Sequence, residues 1–251
     1  MGSNGMLELD EGYYFGLGAF ETVAVEEGRP VMLQEHCARL FRAMEFFHIK
    51  ISAAELEEKV ANALAAPDMK TGRRVLKIAA SEKNLLVTTR KNYYSEWDYE
   101  RGFTTDFSQV RRNETSPLTY HKTLNYGDCL LEKRLAHCRG IDEPIFLNTK
   151  GAVAEGATTN VFFVKDNEIY TPAVSSGILP GIMRAYICES NHVQETELYP
   201  QELMQFEEMF LTNSLLGVMP VVSLGGHRFL SRNMGSALLT KYRAFCVQVR
   251  L

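Results

Sequence analysis

Leu33, Cys37, Leu40, Phe41, Met44 and Phe47 fall on one stripe at helical spacing and predict a helix over residues 34–48. Arg39 sits at the edge of that stripe, where an arginine is a snorkelling surface residue unless the edge borders a ligand. Ser52 and Glu55 make a capping-box pattern, and Leu56, Val60 and Leu64 continue a second amphipathic helix. Upstream, residues 20–25 alternate weakly and are rich in strand formers, and Glu26-Glu27-Gly28-Arg29 reads as a hairpin turn. Gly16 and Gly18 mark backbone close to something bulky, a bulge, or a glycine-rich strand entry. Residues 74–81 and 85–90 read as paired strands, and 103–110 as a further strand. The aromatic, polar stretch 91–99 between them reads as a lid, a dimer contact or a solvated loop.

In the second half the period changes. Residues 124–139 predict a helix with Leu124, Cys129, Leu130, Leu131 and Leu135 apolar and Gly140 at its end. Strands are expected at 145–148, 152–155, 160–164, 169–172, 209–213 and 218–222, with a helix beginning at Gly181 and a hairpin turn at Gly225-Gly226. Leu238, Leu239, Tyr242, Phe245, Cys246 and Val249 mark a closing amphipathic helix. The polar run 111–118 is where a domain boundary is expected, giving domains 1–112 and 113–251. No internal repeat and no low-complexity segment interrupts the pattern.

Composition narrows the class. The 251 residues are 45% hydrophobic and 23% charged, as in an ordinary globular protein. A net charge of -4 argues against nucleic acid or anionic membrane as partner. No apolar run approaches the roughly 20 residues of a membrane span. Met1-Gly2-Ser3-Asn4-Gly5 has neither a basic start nor an apolar core, so no signal peptide is expected. The five cysteines are scattered and lack a CxxC pair, which fits a reduced cytoplasmic setting better than a disulfide scaffold or a metal site.

Candidate chemistry centres on Tyr120-His121-Lys122-Thr123-Leu124-Asn125-Tyr126. A lysine is ordinarily a surface residue. Here the apolar neighbours make burial plausible, and a desolvated lysine becomes a nucleophile able to form a Schiff base. Glu155 ends the apolar strand Ala152-Val153-Ala154, where a carboxylate is costly without a partner. A protonated pyridine nitrogen would supply one; otherwise Glu155 is a strand-end residue facing solvent. Ser175-Ser176-Gly177 and Pro180-Gly181-Ile182-Met183 offer backbone N–H groups at a helix start, which suits phosphate, although most such loops bind nothing. Ser214 adds a hydroxyl or belongs to a plain turn.

In this order, these segments resemble the pyridoxal 5'-phosphate (PLP)-dependent enzymes of fold type IV. The resemblance runs from about Tyr14 to Val222. Its most specific parts are Glu155-Gly156-Ala157-Thr158-Thr159-Asn160-Val161-Phe162, Gly177-Ile178-Leu179-Pro180-Gly181-Ile182-Met183-Arg184 after Thr171-Pro172, and His36-Cys37-Ala38-Arg39-Leu40. It implies an α+β fold of two α/β domains of the D-amino-acid aminotransferase-like type: a smaller two-layer N-terminal domain and a C-terminal pseudo-barrel. It implies that Lys122 bonds PLP and that Glu155 meets the pyridine nitrogen. Arg39, the amides of Ile182 and Met183, and Ser214 would hold the phosphate. Many relatives carry Thr where this chain has Met183, which leaves only the backbone donor there. The lysine followed three residues later by Asn125, the run Ser108-Gln109-Val110-Arg111-Arg112-Asn113 and Thr22 are most like the 4-amino-4-deoxychorismate lyases. An aminotransferase acting on branched-chain or D-amino acids, or a non-catalytic PLP-fold binding protein, remains open. For a lyase, Lys122 would be the base, Thr22 would help protonate the leaving group, and Arg90 and Arg111 would bind carboxylates or act as surface ion-pair residues. A homodimer is expected from the same resemblance.

Overall fold

The computed structural model describes residues 7–248, so the expected leader-free start and Val249 lie outside the described residues. The chain divides into two compact units. One runs to Asn92 and takes in His121–Tyr126; the other comprises Tyr93–Tyr120 and the chain from Gly127 onward. This differs from a division at 112/113. The strand expected near 103–110 pairs with later strands and so belongs to the second unit, and the lysine segment returns to the first.

The first unit contains α1 (Glu11–Phe15), β1 (Gly18–Glu26), β2 (Arg29–Pro30), α2 (Leu33–Phe46), α3 (Ala53–Ala65), β3 (Arg73–Ser81) and β4 (Leu85–Lys91). Its four strands lie in the order β2-β1-β3-β4, antiparallel throughout. Period-two alternation sorts the two faces. Ala19, Val23, Val25, Leu76, Ile78 and Ala80 pack with Leu40 and Met44 of α2 and Leu56 and Val60 of α3. Phe20, Thr22 and Ala24, paired with Ala79, Lys77 and Val75, line the opposite face. Ser52 caps α3 by accepting from the Glu55 amide, as the sequence pattern predicts. The five-residue α1 is too short to leave a periodic signal. It exists because Asp10 accepts from the Tyr13 amide at its start and Gly16, at φ 72°, ends it.

The second unit contains α4 (Glu96–Arg101), β5 (Phe103–Arg112), α5 (Gly127–Cys138), β6 (Glu143–Asn148), β7 (Val153–Gly156), β8 (Asn160–Lys165), β9 (Glu168–Pro172), α6 (Ile182–Ser190), β10 (Val193–Thr196), β11 (Glu208–Asn213), β12 (Gly217–Leu224), β13 (His227–Arg228) and α7 (Asn233–Gln248). Nine strands form one sheet in the order β10-β9-β8-β11-β12-β5-β6-β7, with β13 beside β12. The terminal strand β7 also packs against β8 and β9, so the sheet curls into a half-barrel. β6, β7, β8 and β11 are buried on both faces, and Phe146, Phe162, Phe163 and Phe210 are wholly enclosed. α6 and α7 cover β11 and β12, and α5 covers β5 and β6.

Two sequence expectations need correction here. Part of the stretch 91–99 is helical: Ser95 and Asp98 form a capping box that opens α4. The helix expected from Leu124 begins only at Gly127, and its leucines do not form a core stripe. Cys129 and Ala136 are the buried residues, whereas Leu130, Leu131 and Leu135 are exposed.

Candidate functional site

Lys122 stands in an irregular segment held to the edge of β1. The Phe20 amide donates to the Lys122 carbonyl at 2.8 Å, and the Leu124 amide donates to the Gly18 carbonyl at 2.9 Å. Ala19 and Thr123 form an isolated bridge between these bonds. Gly16 and Gly18 make the approach possible, which bears out the expectation of close backbone. A side chain at Gly18 would lie 2.5 Å from the Ala80 carbonyl oxygen and 2.6 Å from Leu124, and one at Gly16 would lie 3.0 Å from the Asn125 backbone. Gly18→Ala is therefore expected to lower stability by roughly 1–3 kcal/mol, measurable by denaturant unfolding. A variant as stable as the parent would show that the segment moves aside freely.

The Lys122 amine is half-sheltered by aromatic rings. Its Nζ lies 4.4 Å from the centre of the Phe20 ring and 5.2 Å from that of Tyr126, and the two rings meet edge to face at 5.3 Å. Thr22 shares the Phe20 face of β1, so it belongs to the same surface. Lys77, which sequence reasoning missed, joins them: it pairs with Thr22, and its Nζ lies 4.9 Å from the Phe20 ring centre. Arg90 pairs with Val75 and so lies on this face too, but two strands and two pleats from Phe20. It is exposed, and its NH1 donates to the Lys91 carbonyl at 3.0 Å.

Arg39 is buried rather than snorkelling. Its Nε and NH2 donate to the two carboxylate oxygens of Glu21, each at 2.7 Å, and His36 Nδ1 approaches the same carboxylate at 2.6 Å. Burial by itself would raise the Glu21 pKa. The charge and hydrogen bonds of Arg39, with His36, outweigh it and hold the group at about 2 against its ordinary 4.5. Glu21 is thus a carboxylate, an acceptor only, so His36 Nδ1 must carry the proton. Because the folded pKa is depressed, this ionisation stabilises the fold fully above about pH 5 and is lost as pH falls through about 2. Thermal unfolding of the wild type should show an acid limb in that window. Glu21→Gln should flatten the limb and melt lower at neutral pH; an unchanged limb would contradict the assignment.

In the second unit Glu155 is buried at the end of β7. Its Oε1 accepts from Arg112 NH2 at 2.7 Å and its Oε2 from the Leu179 amide at 2.9 Å. The carboxylate thus has protein partners of its own, and the alternative of a strand-end residue facing solvent does not hold. A carboxylate accepts about four hydrogen bonds, so these two do not exhaust it. Arg112 was missed because Arg111 beside it has the same chemistry; Arg111 is exposed on β5. The turn after Glu155 is pinned by Glu143, which accepts from the Thr158 amide at 2.6 Å and from the hydroxyls of Thr158 and Thr159 at 3.0 and 3.1 Å.

α6 opens at Gly181 with no side-chain cap, so the amides of Ile182 and Met183 point out of its first turn. Asn160 fills the space beside Gly181 and donates to the Leu179 carbonyl at 2.9 Å. Both Ile182 and Met183 are buried, so their contribution to an anion is limited to the main chain. The expected free amides of Ser175-Ser176-Gly177 are corrected: those of Ser176 and Gly177 close a tight turn on Ala173 and Val174. Ser214 follows Asn213, whose side chain accepts from the Leu215 and Leu216 amides and donates to the Thr158 carbonyl. The Thr212 hydroxyl, paired in register with Asn160, is buried with no partner among the described residues.

A family model described as amino-transferase class IV matches residues 18–224. The chain belongs to the class IV aminotransferase family. Aminodeoxychorismate lyase of Bacillus subtilis (strain 168) is 32% identical over 235 residues, covering 86% of this chain and 80% of that protein. D-alanine aminotransferase of Bacillus licheniformis is 27% identical over 262 residues, covering 91% and 89%. The crystal structure of 4-amino-4-deoxychorismate lyase from Pseudomonas aeruginosa superposes with a TM-score of 0.80 at 25% identity, covering 95% of this chain and 96% of that one. The α+β architecture expected from the sequence is thereby the family's fold. Class IV aminotransferase family members are PLP-dependent enzymes. The residues here fit that cofactor. The first unit offers an amine against aromatic rings, and the second offers an uncapped helix start, an orphaned hydroxyl and an ionisable carboxylate already set in hydrogen bonds.

Proposed function

We propose that this protein is a PLP-dependent lyase that converts 4-amino-4-deoxychorismate to 4-aminobenzoate and pyruvate. The observation that carries this reading is the Phe20 face of the first sheet, on which Lys122 and Lys77 bring their amines to the Phe20 ring and Thr22 lies in register with Lys77. That set suits a substrate with one amine and two carboxylates. The 32% identity to a protein named aminodeoxychorismate lyase supports it.

PLP, when bound, supplies an electron-withdrawing ring that stabilises negative charge at the carbon bearing the substrate amine. Lys122 would be the residue whose amine holds the cofactor, and its amine would serve as the base that takes the proton from that carbon. Thr22 delivers a proton toward the leaving pyruvate group. Glu155, oriented by Arg112 and the Leu179 amide, would meet the pyridine nitrogen. Arg39, the amides of Ile182 and Met183 and the Ser214 hydroxyl hold the phosphate. Lys77, Arg90 and Arg111 offer positive charge to substrate carboxylates. A cytoplasmic homodimer serving folate synthesis is the setting this reading implies.

The test is direct. Purified protein supplied with PLP should release pyruvate from 4-amino-4-deoxychorismate. Keto-acid production from D-amino or branched-chain amino acids without pyruvate release would replace the lyase with an aminotransferase, a reading favoured by the similarity to D-alanine aminotransferase. A protein that binds PLP and does neither would be a binding module. Lys77→Met is expected to raise KM for the dicarboxylate about tenfold, roughly 1.4 kcal/mol, with kcat nearly unchanged. Steady-state kinetics check this, and an unaltered KM would remove Lys77 from the substrate surface.

A further inference from the structure

Glu21, His36 and Arg39 form a buried ionic trio between β1 and α2, and stability alone does not account for it. Replacing buried ion pairs by well-packed apolar residues is commonly neutral or stabilising. Glu21 sits on the core face of β1, beside Ala19 and Val23, where an apolar residue would fit the pattern. Instead its carboxylate grips one edge of the Arg39 guanidinium through both oxygens. His36, three residues before Arg39 and therefore its neighbour on the helix, binds Oε2 of the same carboxylate, the oxygen that Arg39 NH2 also reaches. A two-point grip on a planar fork leaves the guanidinium no freedom to swing or rotate. The donors on its far edge are turned away from Glu21.

We infer that Glu21 is a positioning residue: with His36 as its brace, it aims the far edge of Arg39 at the cofactor's phosphate. This rests on the reading of Arg39 as a phosphate ligand. In this arrangement Glu21 never touches the phosphate, and its charge serves orientation. A rigid supporting shell of this kind determines how well a binding group performs.

The experiment titrates the cofactor-stripped protein with PLP and, separately, with pyridoxal, which lacks the phosphate, following the absorbance of the lysine-bound form. Arg39→Ala should weaken PLP binding without a matching loss for pyridoxal. Glu21→Gln places an amide donor where the fork needs an acceptor. It should weaken PLP on the order of tenfold and leave pyridoxal within about twofold. The double variant should bind PLP no worse than Arg39→Ala alone. Should Glu21→Gln fail to fold, Glu21→Asp keeps the charge and withdraws the carboxylate by about 1.5 Å; a smaller, phosphate-selective loss is then expected. Equal losses for both ligands would overturn the inference in favour of a purely structural trio. Wild-type PLP affinity in Glu21→Gln, with Arg39→Ala impaired, would also overturn it. If Arg39→Ala itself shows no phosphate-selective loss, the underlying assignment of Arg39 fails first.

Discussion

Replacing Lys122 by alanine should abolish turnover while leaving the fold standing. The segment is held by its main chain: the Phe20 and Leu124 amides donate across to the Lys122 and Gly18 carbonyls, and neither bond involves the lysine side chain. The Phe20–Tyr126 contact also remains. What is lost is an amine resting on two aromatic faces, worth about 0.5–1 kcal/mol at a partly exposed site. The chemical loss is far larger, because the same atom is assigned both attachment of the cofactor and transfer of the substrate proton. We expect activity to fall at least about a thousandfold, with the melting temperature within a few degrees of wild type. Borohydride treatment of the PLP-loaded wild type should leave a stable adduct on Lys122, read by peptide mass, and the variant should carry none there. An alanine variant that still turns over, or a wild type whose adduct maps to another lysine, would remove Lys122 from the centre of the mechanism.

The lysine was legible because its signal is local: aromatic neighbours, a loop before it and a short motif. Its setting was not. The run after it reads as helix, yet residues 121–126 are stitched to β1 about a hundred residues upstream, and only Gly16 and Gly18 hint at that approach. Arg39 shows the same limit. Helical spacing puts it at the edge of a stripe, but its burial is decided by Glu21 on a strand, a pairing that no periodicity encodes. Between Arg111 and Arg112, strand alternation sends one outward and one inward. The register shift between Phe107 and Arg111 resets which is which, so the sequence pattern cannot choose. Leu130, Leu131 and Leu135 mislead for a different reason: apolar residues also make up much of a folded surface.

Removing the Glu143 carboxylate is the change expected to cost the most stability. Glu143 lies fully buried on β6, and four donors converge on it: the Thr158 amide, the Thr158 and Thr159 hydroxyls, and Lys133 Nζ at 2.7 Å. Burial would lower the Lys133 pKa, but the attraction of Glu143 outweighs it and raises the group, so the lysine stays charged beside its partner. The Thr158 hydroxyl also accepts from Lys133 at 2.8 Å, which ties the pair into one network. Even Gly156 depends on it, since a side chain there would meet Glu143 Oε1 at 2.8 Å. Glu143→Ala leaves these donors unsatisfied and an ammonium without its counter-charge, a loss of about 3–5 kcal/mol. That is a large share of the roughly 5–15 kcal/mol that holds a typical domain folded. Glu143→Gln keeps one acceptor oxygen and should cost less. Because the turn it pins begins at Glu155, the alanine variant should also bind PLP more weakly, even at temperatures where it remains folded. Denaturant unfolding gives the first quantity and cofactor titration the second. A loss under about 1 kcal/mol would mean that water replaces the carboxylate and that the network does not fix the turn.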